Sequence, residues 1–159
     1  MYATALDLNM GYYTIRLYPD LSKICPIIFP LGKYSYLRLP MGITCSPDIF
    51  QAKMSELMVA LEFVQAYIDD LLCITKGSLD DHLSKLRKVL RCAGLKVNAA
   101  KCSFCATETE YLGYVLTREG IKPQPKKVEA ILALTLPLNV KQLHRFLVMV
   151  QYYRDLWAR

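Results

Sequence analysis

Apolar residues recur along this chain in two spacings, and the spacing changes near residue 46. Before that point they fall in short runs cut by Gly, Pro and Asp, which predicts strands over residues 2–8, 14–18, 24–29 and 34–39. Pro26 cannot donate to a ladder, so the third run reads as an edge or irregular strand. From Ser46 the apolar positions Phe50, Met54, Leu57, Met58 and Leu61 follow helical spacing. Ser46 reads as the N-cap, with Pro47 at the first helical position and Asp48 at the positive helix end. A second helix is predicted from a Ser78 cap with Asp81 as its capping-box partner. Its stripe is Leu79, Leu83, Leu86 and Leu90, and Gly94 ends it. Two more helices are expected over 126–134 and from an Asn139 cap to Trp157. Between the first two helices, the apolar run 63–74 is split by Asp69-Asp70 and reads as a hairpin with both aspartates at its turn. This order of elements predicts an α+β domain, an antiparallel sheet packed on helices.

Composition narrows the class. With 159 residues, 53% of them apolar and 21% charged, the chain can bury one sizeable core and is not intrinsically disordered. No apolar stretch is long enough to span a bilayer. The start Met1-Tyr2-Ala3-Thr4 lacks the basic and apolar segments of a signal peptide, so the six cysteines are expected to be reduced thiols of an intracellular protein. Net charge is +6, unevenly spread: residues 1–70 carry a balance of −2 and residues 71–159 one of +8. An acidic half with clustered aspartates beside a basic half suits a polyanion handled through metal ions; an ordinary solvated surface is the bland alternative.

The aspartates carry the candidate chemistry. In a regular strand Asp69 and Asp70 would point to opposite faces, and one carboxylate would enter the core at high cost. A tight turn avoids this, yet like charges so close repel unless a cation neutralises them. Hard divalent ions such as Mg²⁺ prefer carboxylate oxygens. Asp7, at the end of the apolar run 3–6 and just before Gly11, has the same look. Three aspartates at strand ends could hold two ions, the arrangement that serves in-line displacement at phosphorus. A solvated β-turn also accounts for an Asp-Asp pair, and Asp80-Asp81 at a helix start is assigned no chemistry.

Tyr67-Ile68-Asp69-Asp70 with Leu71-Leu72 resembles the Tyr-x-Asp-Asp box of reverse transcriptases. Other segments resemble that family's motifs in the same order. They are Leu6-Asp7-Leu8 with Gly11-Tyr12; Leu39-Pro40-Met41-Gly42 with Ser46-Pro47 and Phe50-Gln51; Gly94-Leu95-Lys96-Val97-Asn98 with Lys101-Cys102; and Tyr111-Leu112-Gly113-Tyr114. Gly120-Ile121, Pro125-Lys126-Lys127-Val128, Phe146-Leu147 and Tyr152-Tyr153-Arg154 are similar to the gypsy type of LTR retrotransposon.

The resemblance implies an RNA-directed DNA polymerase palm over residues 1–120, with fingers largely missing, and a connection and start of the thumb over 121–159. It implies that Asp7, Asp69 and Asp70 hold two Mg²⁺ ions, for which Mn²⁺ can substitute, with the Leu8 carbonyl a further ligand. Tyr12 matches the aromatic gate against a ribose 2′-hydroxyl, a core tyrosine being the other reading. Met41 matches a residue lining the nucleotide pocket. Lys101 matches a lysine that protonates pyrophosphate, or is a plain surface lysine. Tyr67 and the Leu112-Gly113 turn contact the primer. The implied partners are an RNA or DNA template with its primer, a dNTP, and the rest of a Gag-Pol-like polyprotein (fingers, RNase H, integrase), with no membrane. The implied location is a cytoplasmic particle or the nucleus.

Departures from the pattern leave a second reading open. Cys102-Ser103-Phe104-Cys105 has no second pair at zinc spacing, and His82 and His144 stand alone on predicted helices, so core thiols are favoured over zinc. Val148 replaces a glycine expected on the thumb helix, and the helix before Gly94 is about one turn short. The alternative is therefore a catalytically dead retroelement remnant that only binds nucleic acid or a partner protein.

Overall fold

The computed structural model describes residues 1–156, apart from the side chains of Cys92 and Ala93. The chain divides into two compact units, Met1–Ala106 and Thr107–Arg159. In the first, β1 (Tyr2–Asp7) leads through a 3-10 turn over Gly11–Thr14 to a short helix α1 (Pro19–Ile24) and a hairpin of β2 (Pro26–Phe29) and β3 (Gly32–Ser35). Helix α2 (Ser46–Met58), a second hairpin of β4 (Val64–Tyr67) and β5 (Asp70–Thr75), helix α3 (Leu79–Ala93) and β6 (Ser103–Ala106) follow. β4, β5, β1 and β6 form one antiparallel sheet in that order, while β2 and β3 pair only with each other.

The register of β1 on β5 runs from Tyr2 opposite Thr75 to Asp7 opposite Asp70. Leu6, Leu8, Val64 and Leu71 of the sheet region pack with Phe50, Met54 and Met58 of α2 and with Leu86 and Val89 of α3. Alternation along paired strands therefore sets Leu6 and Leu71 toward the helices and Asp7 and Asp70 on the other face. That relieves the burial problem posed by adjacent aspartates.

His82 of α3 is fully buried and joins helix to sheet: its Nε2 lies 2.8 Å from Thr4 Oγ1 and its Nδ1 2.8 Å from Thr75 Oγ1. Burial is the main cause that lowers its pKa, so the imidazole stays neutral.

The second unit contains a three-stranded antiparallel sheet of β7 (Thr109–Tyr111), β8 (Tyr114–Leu116) and β9 (Ile121–Pro123). Helices α4 (Pro125–Leu132) and α5 (Val140–Tyr152) and a 3-10 turn over Arg154–Leu156 follow. No helix among the described residues is long and apolar enough to cross a membrane.

The α+β class, the 63–74 hairpin, the Ser78 cap, the Gly94 stop and the Asn139 cap stand as expected. Several local expectations do not. Residues 14–18 form no strand, because the chain turns at Gly11–Thr14 and Arg16 makes only an isolated bridge to Arg38. Pro19 at the helix start and Asp20 in its first turn nucleate α1, which the strand pattern hid. β3 covers residues 32–35, not 34–39. Ser46 lies inside α2, after a Cys45 N-cap, and its hydroxyl donates to the Pro40 carbonyl at 2.7 Å. The buried face of α3 runs through His82, Leu86 and Val89, leaving Leu79 exposed. α5 ends at Tyr152; Trp157, its expected end, lies outside the described residues.

Candidate active site

Of the two aspartates expected in the hairpin turn, only Asp69 sits there. Tyr67 pairs with Asp70 across β4 and β5, so Ile68 and Asp69 are the two loop residues, and Asp70 begins the strand. Ile68 adopts a positive φ of 51°, the condition a two-residue hairpin imposes on its first loop position. Past the end of β1, the Leu8 N–H donates to the Asp69 carbonyl at 2.9 Å and so extends the ladder over the turn. The sheet end thus brings Asp7, Leu8, Tyr67, Asp69 and Asp70 together.

The segment after α3 closes the other side. Asn98 N–H donates to the Asp7 carbonyl at 2.8 Å, and Asn9 N–H to the Lys96 carbonyl at 2.8 Å. Lys101 Nζ then lies 3.5 Å from Asp7 Oδ2. Cys102 has a structural part that sequence reasoning missed: its thiol accepts the Asp7 N–H and donates to the Asn98 carbonyl. Cys102 lies in the same motif as Lys101, but this contact across 95 positions leaves no local signal.

The carboxylates perturb one another. Burial, then the charges of Asp7 and Asp70, push the Asp69 carboxyl above the ordinary carboxylate range, against the pull of Lys101. Burial and then Asp7 push Asp70 in the same direction, again opposed by Lys101. Asp69 Oδ1 is buried without a hydrogen-bond partner, and it and the Phe50 ring both border the space next to the Gly11 Cα. Carboxylate oxygens are the ligands that a hard divalent cation prefers, and an orphaned one near two further carboxylates could take part in holding such an ion. Among the described residues, no three His, Cys, Asp or Glu side chains are grouped so as to hold a metal ion as they stand.

Tyr12 is 8% exposed and stacks on Phe50 with ring centroids 4.8 Å apart. Burial and then the charge of Asp69 raise its pKa, so this phenol belongs to the core and also lies within electrostatic reach of the site. Met41 is 51% exposed on the segment between β3 and α2. Leu112 and Gly113 belong to the second unit, where both have positive φ in the two-residue turn between β7 and β8. Tyr152 Oη donates to the Leu112 carbonyl, and Tyr153 Oη to the Gly113 carbonyl at 2.8 Å.

Comparison with known proteins identifies the family. Residues 1–116 match the family described as reverse transcriptase (RNA-dependent DNA polymerase). The chain is 40% identical over 160 residues to the retrovirus-related Pol polyprotein from transposon opus of Drosophila melanogaster, covering 96% of this chain and 16% of that protein. It is 31% identical over 156 residues to the Pol polyprotein from transposon gypsy of the same organism, covering 95% of this chain and 15% of that protein. The chain therefore spans about a sixth of the curated relatives it matches. Among solved structures, the foamy viral protease-reverse transcriptase in complex with dsDNA superposes with a TM-score of 0.86 at 24% identity, covering 96% of this chain and 33% of that one. The complex of the foamy viral enzyme with an RNA/DNA hybrid gives 0.83 at 26% identity, covering 96% and 21%. With the aspartate-tipped hairpin beside β1 and these matches along nearly its whole length, the chain belongs to the reverse transcriptase (RNA-dependent DNA polymerase) family.

Proposed function

We propose that this chain supplies the catalytic centre for nucleotidyl transfer from a dNTP to a primer 3′-hydroxyl on an RNA or DNA template. The observation that carries this reading is the pairing of Asp7 with Asp70, with Asp69 next to them in the turn and one of its oxygens orphaned. Asp7, Asp69 and Asp70 would hold Mg²⁺ or Mn²⁺, with the Leu8 carbonyl as a further ligand. When bound, such ions lower the pKa of the attacking hydroxyl and stabilise the leaving pyrophosphate.

The other roles belong to the chain's own groups. Lys101, with Nζ 3.5 Å from Asp7 Oδ2, acts as the proton donor to pyrophosphate. Tyr12, fixed by stacking on Phe50, presents a rigid ring against a ribose 2′-hydroxyl. Met41 contributes packing to the nucleotide pocket, since a thioether donates no hydrogen bond. Tyr67 and the Leu112-Gly113 turn hold the primer. In functional terms residues 1–120 act as the palm and residues 121–159 as the connection and start of the thumb.

The partners follow from charge and from the neighbours. The +8 balance of residues 71–159 suits phosphate backbones, and the superposed foamy viral enzyme is seen with dsDNA and with an RNA/DNA hybrid. A polyprotein carrying the remaining activities is the expected context, as in the relatives.

The test is primer extension on an RNA template with Mg²⁺, comparing the chain with Asp69→Asn, alongside Mn²⁺ binding followed by electron paramagnetic resonance. Extension and Mn²⁺ binding that both disappear in Asp69→Asn support the proposal. The same basic balance also favours a second reading, nucleic-acid binding without catalysis. That reading expects salt-sensitive binding kept by Asp69→Asn and no extension by either protein.

A further inference from the structure

A β-branched residue with positive φ is a genuine outlier, and Ile68 is one at the position that aims Asp69. The two-residue loop demands this conformation, and a residue outside the turn helps a strained isoleucine to hold it. Gln51, half-buried on α2, does so with its whole amide. Its Oε1 accepts the Ile68 N–H at 2.6 Å, while its Nε2 donates to the Ala66 carbonyl at 3.1 Å and to Ser55 Oγ at 3.2 Å. The reverse amide orientation would set donor against donor and acceptor against acceptor, so a single orientation satisfies both backbone partners. The residue before it, Phe50, is fully buried beneath Gly11 and next to Asp69 Oδ1. One turn of α2 therefore bonds to the aspartate turn through Gln51 and, through Phe50, fills the space that Asp69 Oδ1 shares over Gly11.

Resting on the metal-site reading above, we infer that Gln51 is a positioning residue for the metal-binding carboxylate of Asp69. It acts by clamping Ile68 in the left-handed region. Gln51 touches neither substrate nor metal in this role. Without it, Ile68 relaxes toward negative φ, the turn reshapes, and the Asp69 carboxylate leaves its place beside Asp7 and Asp70. Groups that orient metal ligands from behind typically change metal affinity by about 10- to 100-fold when removed.

The experiment measures Mn²⁺ affinity of the full chain by electron paramagnetic resonance, with thermal unfolding in parallel. The variants are Asp69→Asn, Gln51→Met (similar length, no hydrogen bonds), Ile68→Gly and Ile68→Gly/Gln51→Met. Gln51→Met is expected to weaken Mn²⁺ binding about tenfold or more. Glycine takes positive φ without strain, so in the Ile68→Gly background the same loss of Gln51 is expected to matter by no more than about twofold. A purely structural role would lower the unfolding temperature in both backgrounds and leave Mn²⁺ affinity alone. Wild-type Mn²⁺ affinity in Gln51→Met, with binding lost in Asp69→Asn, overturns the positioning role and leaves the metal site standing. Mn²⁺ binding untouched by Asp69→Asn overturns the metal-site reading, and the positioning role with it. Should Gln51→Met fail to fold, the two glycine-background proteins carry the test, and a tenfold loss between them overturns the inference.

Discussion

The backbone N–H of Asp7 donates to the Cys102 thiol sulfur at 3.4 Å, and that thiol donates onward to the Asn98 carbonyl at 3.1 Å. β1 thus ends against a side chain where a ladder partner would otherwise stand. Cys102→Ala leaves the Asp7 N–H without a partner and should cost about 1–2 kcal/mol of stability. Urea denaturation measures this, and Mn²⁺ affinity should fall in the same variant because Asp7 loses one of the hydrogen bonds that hold it. An unchanged denaturation midpoint would mean that the sulfur contact is incidental.

Across β1 and β5, Asp7 and Asp70 are directly opposed like charges. Asp70→Asn should therefore stabilise the metal-free fold by about 0.5 kcal/mol, a rise in melting temperature of about 1–2 °C. Asp69 and Asp70 have raised pKa values in the folded state, so the folded chain takes up protons before the unfolded one as pH falls. Their contribution thus improves as pH drops through those raised values toward the ordinary carboxylate value of about 3.9. Calorimetry of the wild type and Asp70→Asn at several pH values checks the sign, and a lower melting temperature in the variant would contradict it.

His82 works in the opposite direction. Its folded-state pKa is lowered by burial, so stability is intact above its ordinary value of about 6.5. It is lost as pH falls from there toward the depressed value, where only the unfolded state gains the proton. His82→Gln should flatten that part of the pH–stability curve, at a cost of about 1–3 kcal/mol for the disturbed Thr4 and Thr75 contacts. Chemical denaturation between pH 7 and 5 is the measurement.

Gly11 is required by space. A Cβ there would meet Phe50 Cζ at 2.5 Å and Asp69 Oδ1 at 2.8 Å. Gly11→Ala should destabilise the fold by about 1–3 kcal/mol and push the Asp69 carboxylate aside. Weaker Mn²⁺ binding together with a lower denaturation midpoint is expected; a neutral substitution would show that the ring and carboxylate yield easily.

In the second unit the Leu112-Gly113 turn hangs on two phenols. Burial and the neighbouring tyrosines raise the Tyr153 pKa, so it remains a protonated donor at neutral pH. Tyr153→Phe keeps the ring contacts with Tyr114 and Tyr152 but deletes the bond to Gly113. The expected cost is about 1 kcal/mol, with weaker primer–template binding in a fluorescence titration. Equal affinity would separate the turn from primer contact.

What the sequence determined by itself was whatever neighbours in the chain decide. Ser78 caps α3 through the Asp81 N–H, Gly94 takes the left-handed stop, Asn139 caps α5 through Gln142, and the 63–74 run folds back on itself as a hairpin. Each of these depends on residues within a few positions, so spacing and side-chain chemistry suffice. The aspartates were visible for the same reason: two carboxylates in an apolar run conflict with burial wherever the strand goes. Ser46 shows the limit, since its hydroxyl has a choice of acceptors and only the fold brings the Pro40 carbonyl to it. The split of Asp69 into the turn and Asp70 into β5 needed the register of β4 on β5, which a shift of one residue would reverse. The partners of the site lay further off still: Gln51 reaches Ile68 across 17 positions, His82 reaches Thr4 across 78 and Cys102 reaches Asp7 across 95. Hydrogen bonds of that span have no local periodicity, because they form only after hydrophobic packing has brought α2, α3 and the segment after α3 against the sheet.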